Sequence, residues 1–430
     1  MEPLVCNLES FKGQVVTLKG WASNIRSSGK IHFVELRDGS GFVQCVAQTS
    51  ELKPSALQAL SSLTHESSLI VTGKVVEHPK RPGVYELALT DIEVVQLSQD
   101  YPLGRKEHGP DFLLDHRHLW LRSRKQWAIQ RIRNTIINAI YDFLRGENFI
   151  KIDSPIITSN SCEGALTLFE LEYFDLGKGY LSQSGQLYLE AAIYAHGRVF
   201  DFGPVFRAEK SKTKKHLTEF WMMDAEMAFV EHEDNMRFQE RLICYILECV
   251  LECNRAELEI MERDISRLER IKAPFPRITY CEIVKELREM GAKITEDMDL
   301  GAGDEQLLAA RYDQPLFVER WPAKLKAFYM KCDPRDPSLV LGSDLMAPEA
   351  FGEIIGGSQR EDNYEVLAER MEEEKIPLKP LRWYLDLRKY GTVPHSGFGV
   401  GLERLVAWIS GAAHIRETIP FPRMIYRYYP

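Results

Sequence analysis

The sequence predicts an α+β protein in two parts, a small all-β barrel followed by a larger region of helices and strands. Residues 1–98 look all-β, with five short β-rich runs separated by turn signals. From Trp127 the spacing of apolar residues changes to that of long amphipathic helices alternating with apolar strands. With 430 residues, 44% hydrophobic and 27% charged, the chain can bury at least one large core and hold two or three domains.

In the first part the runs are Val15–Lys19, Ile31–Leu36, Phe42–Ala47, Leu69–Val76 and Val84–Val95, with turns at Ser28-Gly29, Asp38-Gly39 and Pro82-Gly83. Five strands in so short a stretch suit a closed barrel such as the OB-fold, which takes single-stranded nucleic acid on exposed aromatics beside basic groups. Phe33, with Arg26 and Gln44 on adjacent runs, is the candidate platform. Phe33 suits the barrel interior equally well. Pro102, Gly104, Gly109 and Pro110 then mark a connector. It ends in the basic run DHRHLWLRSRK, which reads either as a solvated hinge or as a contact for a polyanion. The expected boundaries are 1–98, a linker at 99–127, and 128–430 with an inserted segment around 265–340.

In the second part, the apolar spacing predicts a helix over Ile129–Leu144 and a strand over Phe149–Ile152 that stops before Pro155. Glu163-Gly164 and Ser182–Gln186 read as polar loops. Gly203–Phe229 has strand-like ends around a cationic middle of Lys210, Lys212, Lys214, Lys215 and His216. Two strands presenting Arg207 and Glu209 around such a loop suit a triphosphate or a nucleic-acid end, since a fixed guanidinium grips phosphate bidentately. A surface hairpin with a solvated tip is the plain alternative. A second long helix is expected from Met236 to about Met261, and 278–345 shows no chemical signature.

Gly352–Arg360 places Glu353 at the end of a β-like run, before a glycine pair and Arg360. That pattern fits either a metal held beside a phosphate or a turn with a salt-bridged glutamate. His395–Leu405 carries alternating glycines, which let a strand approach a ligand or another backbone closely, and then Arg404 near a helix start. Its spacing is not the dinucleotide fingerprint, and no Walker A sequence occurs.

The formal net charge of −9 requires any nucleic-acid partner to meet a local basic face and argues against tightly held non-specific DNA. The N-terminal residues lack a signal-peptide pattern, and no apolar run approaches the roughly 20 residues that span a bilayer. Eight scattered cysteines without a CxxC pair exclude a disulfide framework and structural zinc. Cys249 and Cys253, four apart on a helix, are expected to be buried thiols. A reducing cytoplasm and no membrane or DNA partner are expected.

Taken together, these segments resemble class II aminoacyl-tRNA synthetases of the aspartyl/asparaginyl subgroup, on the asparaginyl side. Phe149–Pro155 is similar to that family's first motif. Phe206-Arg207-x-Glu209 with the basic loop, His216 and Phe220 is similar to the second, and Gly399-x-Gly401-Leu402-Glu403-Arg404 to the third. The resemblance covers nearly the whole chain, including the barrel and the ending IRETIPFPR. It implies an antiparallel sheet flanked by helices, a homodimer, and ligation of asparagine to tRNA(Asn) with ATP and Mg2+. Arg207 would hold the α-phosphate, and Phe220 and Arg404 would take the two faces of adenine. His216 would lie near the γ-phosphate and Glu209 near adenine or the RNA terminus, with Arg207, Arg404 and Glu353 as the catalytic set. Asp344 and Glu353 would hold the metal; some relatives carry a serine ligand where this chain has Gly356.

For the amino acid, the resemblance implies Glu163 and Gln186 on the ammonium and Arg360 on a carboxylate or side-chain carbonyl. Asp224 would accept from the amide; asparaginyl enzymes usually have glutamate there and aspartyl enzymes aspartate. Leu189 stands where the aspartyl subgroup has a lysine for the β-carboxylate, and a carboxylate left without it in a dry pocket costs on the order of a few kcal/mol, so asparagine is favoured. Arg26, Phe33 and Gln44 would grip the middle anticodon base. The alternatives are an aspartyl-tRNA synthetase, possibly charging two tRNAs, and a non-catalytic binding protein on a synthetase scaffold; barrel-less relatives that make asparagine lack a part this chain has.

Overall fold

Alternation of period two builds the first unit, Met1–His108 of the computed structural model. Along β1 (Val15–Ser28), Val16, Leu18 and Ala22 are buried while Val15 and Trp21 face outward. With β2 (Ile31–Arg37), β3 (Phe42–Gln48), β4 (Ser68–Glu77) and β5 (Tyr85–Gln96) it closes a barrel in the order β1-β2-β3-β5-β4. β1 continues past Lys19 to Ser28 because its first half pairs with β4 and its second half with β2. On β2 the inward positions belong to Val34 and Leu36, so Phe33 lies half-buried on the opposite face rather than filling the barrel. The helix Pro54–Ser62 adds Ala56 and Leu60 to the barrel core.

The structure describes residues 1–430 except 105, 160–167, 211, 212, 214 and 310. In the second unit, Gly109–Pro430, the strands are β6 (Ile150–Lys151), β7 (Ile157–Thr158), β8 (Glu170–Glu172), β9 (Lys178–Leu181), β10 (Arg198–Phe206) and β11 (Glu219–Ala228). They continue as β12 (Arg277–Thr279), β13 (Leu316–Pro322), β14 (Cys332–Asp333), β15 (Asp336–Ala347), β16 (Gly352–Gln359) and β17 (His395–Gly401). The main sheet runs β12-β13-β15-β16-β17-β11-β10-β6, with β14 beside β15, and only its outermost pairings, β12 with β13 and β10 with β6, are parallel. A separate small sheet is ordered β7-β9-β8.

One face of the main sheet is the core. Met223, Ala225, Phe398 and Val400 point there and meet the apolar stripes of Arg124–Gly146, His232–Cys253 and Leu402–Ser410, including Ile132, Ile136, Leu242, Ile246 and Trp408. A buried side chain of this size is stabilised by roughly 1.5–3 kcal/mol relative to exposure. The opposite face of the sheet is free of that packing and lines a cavity.

Several expectations change. The first long helix begins at Arg124, a full turn before the first apolar position at Ile129. The second starts at His232 and ends at Cys253, since Asn254 is non-helical at φ −127, and Arg255–Ile260 is a separate short helix. Consequently Cys253 is exposed and Cys249 only partly covered, not buried thiols. The connector's basic run is not a solvated hinge. It forms the short helix Arg117–Trp120 and opens the long one, and Arg117 is buried, donating to the carbonyls of Pro420, Glu417 and Ile419 at 2.8, 3.2 and 2.9 Å. Burial lowers that guanidinium to about 10, against the pull of Glu417. Within 265–340, β12 and β13 extend the main sheet, and Tyr280, Ile283 and Trp321 share a core with Val340 of β15.

Candidate active site

The register of the main sheet makes the cavity floor. Asp344, Gly356, Gly399 and Asp224 are successive partners across β15, β16, β17 and β11. Two carboxylates therefore flank a stretch with no side chains. One step along, Ser358, Gly397 and Glu226 form a parallel row, and Gly401 faces Met222 on the other side. The alternation of Gly397, Gly399 and Gly401 keeps all three on this face, while Phe398 and Val400 enter the core. A Cβ on Gly397 would stand 1.9 Å from Oε1 of Glu226, and one on Gly399 2.7 Å from Oδ1 of Asp224. The glycines make room for the acidic side chains of β11 as much as for a ligand.

Above this floor is a cavity of about 1540 Å³ that Arg207, Glu353 and Arg404 all line, together with Glu209, His216 and Phe220. Arg207 follows the last residue of β10 rather than lying on the strand, and its backbone N–H donates to Thr218 across the hairpin neck at 3.0 Å. Its guanidinium carbon stands 5.4 Å from the centre of the Phe220 ring. Arg404, in the first turn of Leu402–Ser410, donates to the carbonyl and to Oε2 of Glu353 at 3.0 and 3.3 Å. Glu353 opens β16 rather than ending a run. Burial acts to raise its pKa, but Arg404, Lys326 and Arg207 together hold it below the usual carboxylate range. His216 touches Thr213; desolvation, then the neighbouring Arg404, lowers its pKa, so the imidazole is neutral at pH 7. Lys215 of the same loop pairs with Glu305, while Lys212 and Lys214 lie outside the described residues.

Asp344 is buried against Lys326, whose ammonium is 2.5 Å away and stands 3.8 Å over the Trp321 ring. Burial pushes the Asp344 carboxyl up to about 7, with Glu353 adding to the rise and Lys326 opposing it. A Cβ on Gly356 would fall 3.0 Å from Oε1 of Glu353 and 3.8 Å from Oδ1 of Asp344, so this glycine sits between the two carboxylates.

Gln186, Asp224 and Arg360 line the same cavity. Gln186 is the first residue of the helix Gln186–His196, not the end of a loop. Asp224 accepts from the Ser184 hydroxyl at 2.9 Å and the Gly185 N–H at 2.8 Å through Oδ2. Arg360 is buried, joins Glu226 through Nε at 3.1 Å and a terminal nitrogen, and donates to Ser358 at 2.7 Å. Burial acts to raise the Glu226 carboxyl and Arg360 opposes the rise; because Glu226 in turn raises Arg360 against its own burial, the two form an ion pair. Glu163 lies outside the described residues. On the barrel, the Arg26 guanidinium stands 4.5 Å over Phe33 and donates to Gln44 at 2.5 Å, while Gln44 donates to Glu86.

Comparison with known proteins accounts for both units. Residues 109–425 match the model for class II tRNA synthetases (D, K and N), and 16–95 match the OB-fold nucleic acid binding domain. The chain belongs to the class II tRNA synthetase family. The asparagine–tRNA ligase of Desulforamulus reducens is 52% identical over 427 residues, 99% of each chain. The crystal structure of asparaginyl-tRNA synthetase from Pyrococcus horikoshii complexed with asparaginyl-adenylate is similar at TM-score 0.93 and 43% identity, over 98% of this chain and 97% of that one. The aspartyl-tRNA synthetase of Entamoeba histolytica is similar at TM-score 0.83 and 27% identity, over 100% of this chain and 93% of that one.

For a member of this family, the residues that sequence reasoning missed are mostly partners of those it found. Lys326 carried no pattern, being one of two lysines in an irregular stretch. Glu226 had a readable signal: it lies two residues from Asp224 on a strand and so shares its face. Glu403, inside the third motif, also borders the cavity, but its carboxylate is engaged by the Trp221 N–H at 3.0 Å and by Arg133 at 2.8 Å, which pins the third motif to the second.

Proposed function

We propose that this chain ligates asparagine to tRNA(Asn) in two steps. The asparagine carboxylate attacks the α-phosphorus of ATP; a P–O bond forms, the α–β bridge breaks and pyrophosphate leaves. A ribose hydroxyl of the tRNA end then attacks the mixed anhydride, and AMP leaves. The observation that carries this reading is that Arg207, Glu353 and Arg404 share one cavity with Gln186, Asp224 and Arg360, so nucleotide and amino acid meet over one floor.

An anion attacks an anion in the first step, so barrier lowering comes from positioning and charge neutralisation. Arg207 is suited to the α-phosphate, Phe220 and Arg404 to the faces of adenine, His216 to the far phosphates and Glu209 to adenine or the RNA terminus. Asp344 and Glu353 fit a magnesium ion: two oxygen donors converge around Gly356, and the Asp344 carboxyl, raised first by burial and then by Glu353 beside it, is a group whose charge a cation would stabilise. When bound, the metal would neutralise phosphate oxygens.

Asparagine rather than aspartate is favoured by charge pairing. Arg360 is already matched by Glu226, and Leu189, buried against Ile193 and Val199, brings no cation. An amide needs none. Asp224, short by one methylene, is drawn to Ser184 and Gly185 on the rim of the same cavity.

The barrel's Arg26, Phe33 and Gln44 form one contiguous surface suited to stacking and hydrogen-bonding a base of the anticodon. A homodimer is supported by apolar side chains left exposed on β6 (Ile150) and on and around β7-β9-β8 (Ile156, Ile157, Phe174 and Leu176). No helix among the described residues is long and apolar enough to cross a membrane.

ATP–pyrophosphate exchange tests the assignment. Exchange is expected with asparagine and not with aspartate. Exchange supported by aspartate alone overturns the choice of amino acid, and none with either overturns the enzymatic reading.

A further inference from the structure

Behind Gln186, one helical turn further on, lies a carboxylate that never reaches the cavity. Glu190 is fully buried on the face of Gln186–His196 that Gln186 also occupies. Its Oε2 accepts from Arg388 at 2.6 Å, the Tyr384 hydroxyl at 2.8 Å and His395 Nε2 at 3.1 Å. Its Oε1 accepts from Tyr384 at 2.9 Å and from Nε2 of Gln186 at 3.1 Å. Burial acts to raise its pKa, but Arg388, His395 and Arg360 outweigh that and hold it below the ordinary carboxylate range. Glu190 is therefore an anion with no hydrogen to give.

That fixes the amide in front of it. An ionised carboxylate only accepts, so the Gln186 carboxamide must present its NH2 end to Glu190 and turn its oxygen away, toward the cavity that Gln186 lines. The backbone N–H of Gln186, donating to Ser184 Oγ at 3.1 Å, holds the other end of the residue. Arg388 does not depend on Glu190 alone, since its Nε donates to the Glu361 carbonyl at 2.9 Å.

We propose that Glu190 is a positioning residue for amino-acid recognition, holding the Gln186 carboxamide with its oxygen toward the bound substrate so that the α-ammonium meets an acceptor. This rests on asparagine activation being the reaction. A glutamine at 190 can donate as well as accept and removes the constraint.

The test is exchange kinetics on Glu190→Gln, Gln186→Ala and the double variant, after the unaltered protein has been shown to exchange with asparagine. Absence of exchange in the unaltered protein overturns the proposed function and this proposal with it. Glu190→Gln is expected to raise the KM for asparagine about tenfold while the KM for ATP stays within about twofold. In the Gln186→Ala background the same change should add less than about twofold, because its effect passes through the missing amide. An unchanged asparagine KM, an equal rise in the ATP KM, or multiplicative losses in the double variant each overturn the proposal. Because Glu190→Gln leaves Arg388 short of its anion, Glu190→Gln/Arg388→Met is measured alongside. It should show the same asparagine-specific rise, and a normal asparagine KM in it likewise overturns the proposal.

Discussion

The three glycines of β17 share one face of the sheet, and Gly399 and Gly401 line the cavity, yet the structure assigns the three unequal tolerance to a methyl group. At Gly397 a Cβ would lie 1.9 Å from Glu226 Oε1 and 2.5 Å from the Ala225 carbonyl oxygen. The carboxylate would have to leave Arg360, and the backbone oxygen cannot move without parting β11 from β17. Overpacking alone costs about 1–3 kcal/mol, and disrupting a buried ion pair adds to it, so Gly397→Ala should lose about 3 kcal/mol or more. At 2–4 °C per kcal/mol that lowers the melting midpoint by about 6–12 °C, and exchange should be lost. Gly399→Ala meets Asp224 Oδ1 at 2.7 Å and the flexible Met222 sulfur at 3.2 Å, so it should cost about 1–2 kcal/mol and weaken asparagine binding. Gly401→Ala has nothing nearer than Arg404 Cδ at 4.0 Å; it should melt normally and raise only the KM for ATP. Calorimetry with exchange kinetics on the three variants decides the matter. Equal destabilisation across the series, or a stable and active Gly397→Ala, refutes the account of the floor.

Metal dependence should follow pH, since Asp344 titrates near 7. A cation must displace the proton below that value, so the Mg2+ concentration giving half-maximal exchange should rise about fivefold from pH 7 to pH 6 and level off above pH 8; a flat profile removes Asp344 from the site. Phe33→Ala should slow tRNA charging about tenfold while leaving exchange untouched, because stacking on that ring contributes about 1–3 kcal/mol per base; unaltered charging excludes the barrel face. Ile157→Asp, on an exposed strand position, should yield monomers by sedimentation without loss of helical content, whereas an unchanged mass would place any self-association elsewhere.

The parts of this protein legible in its sequence are those governed by short periods. The barrel was readable because burial alternates along each strand, and the cavity floor because glycines at every second position can share one face. The helix over Met236–Met261 was over-extended because apolar spacing continues through Asn254, where the backbone turns out of helical geometry regardless. The basic run that holds Arg117 is ambiguous in the sequence for a different reason. A basic run looks solvated unless its acceptors are known, and here they are carbonyls three hundred positions downstream, which no local pattern announces.

The same distance effect explains why the cavity-lining residues Arg207, Arg404 and Glu353 are legible in the sequence and the groups behind them are not. Arg207, Arg404 and Glu353 belong to compact motifs, since each must sit on a defined turn or strand end. The groups behind them come from anywhere the fold makes adjacent: Lys326 reaches Asp344 from an irregular stretch, and Glu190 meets Arg388 and His395 across about two hundred residues. Each support satisfies a charge that burial would otherwise penalise by several kcal/mol, so its position is set by that need and not by sequence spacing. A site of this kind is therefore tuned from behind. Changes to Glu190 or Glu226, neither of which lines the cavity, should alter amino-acid binding without touching the substrate.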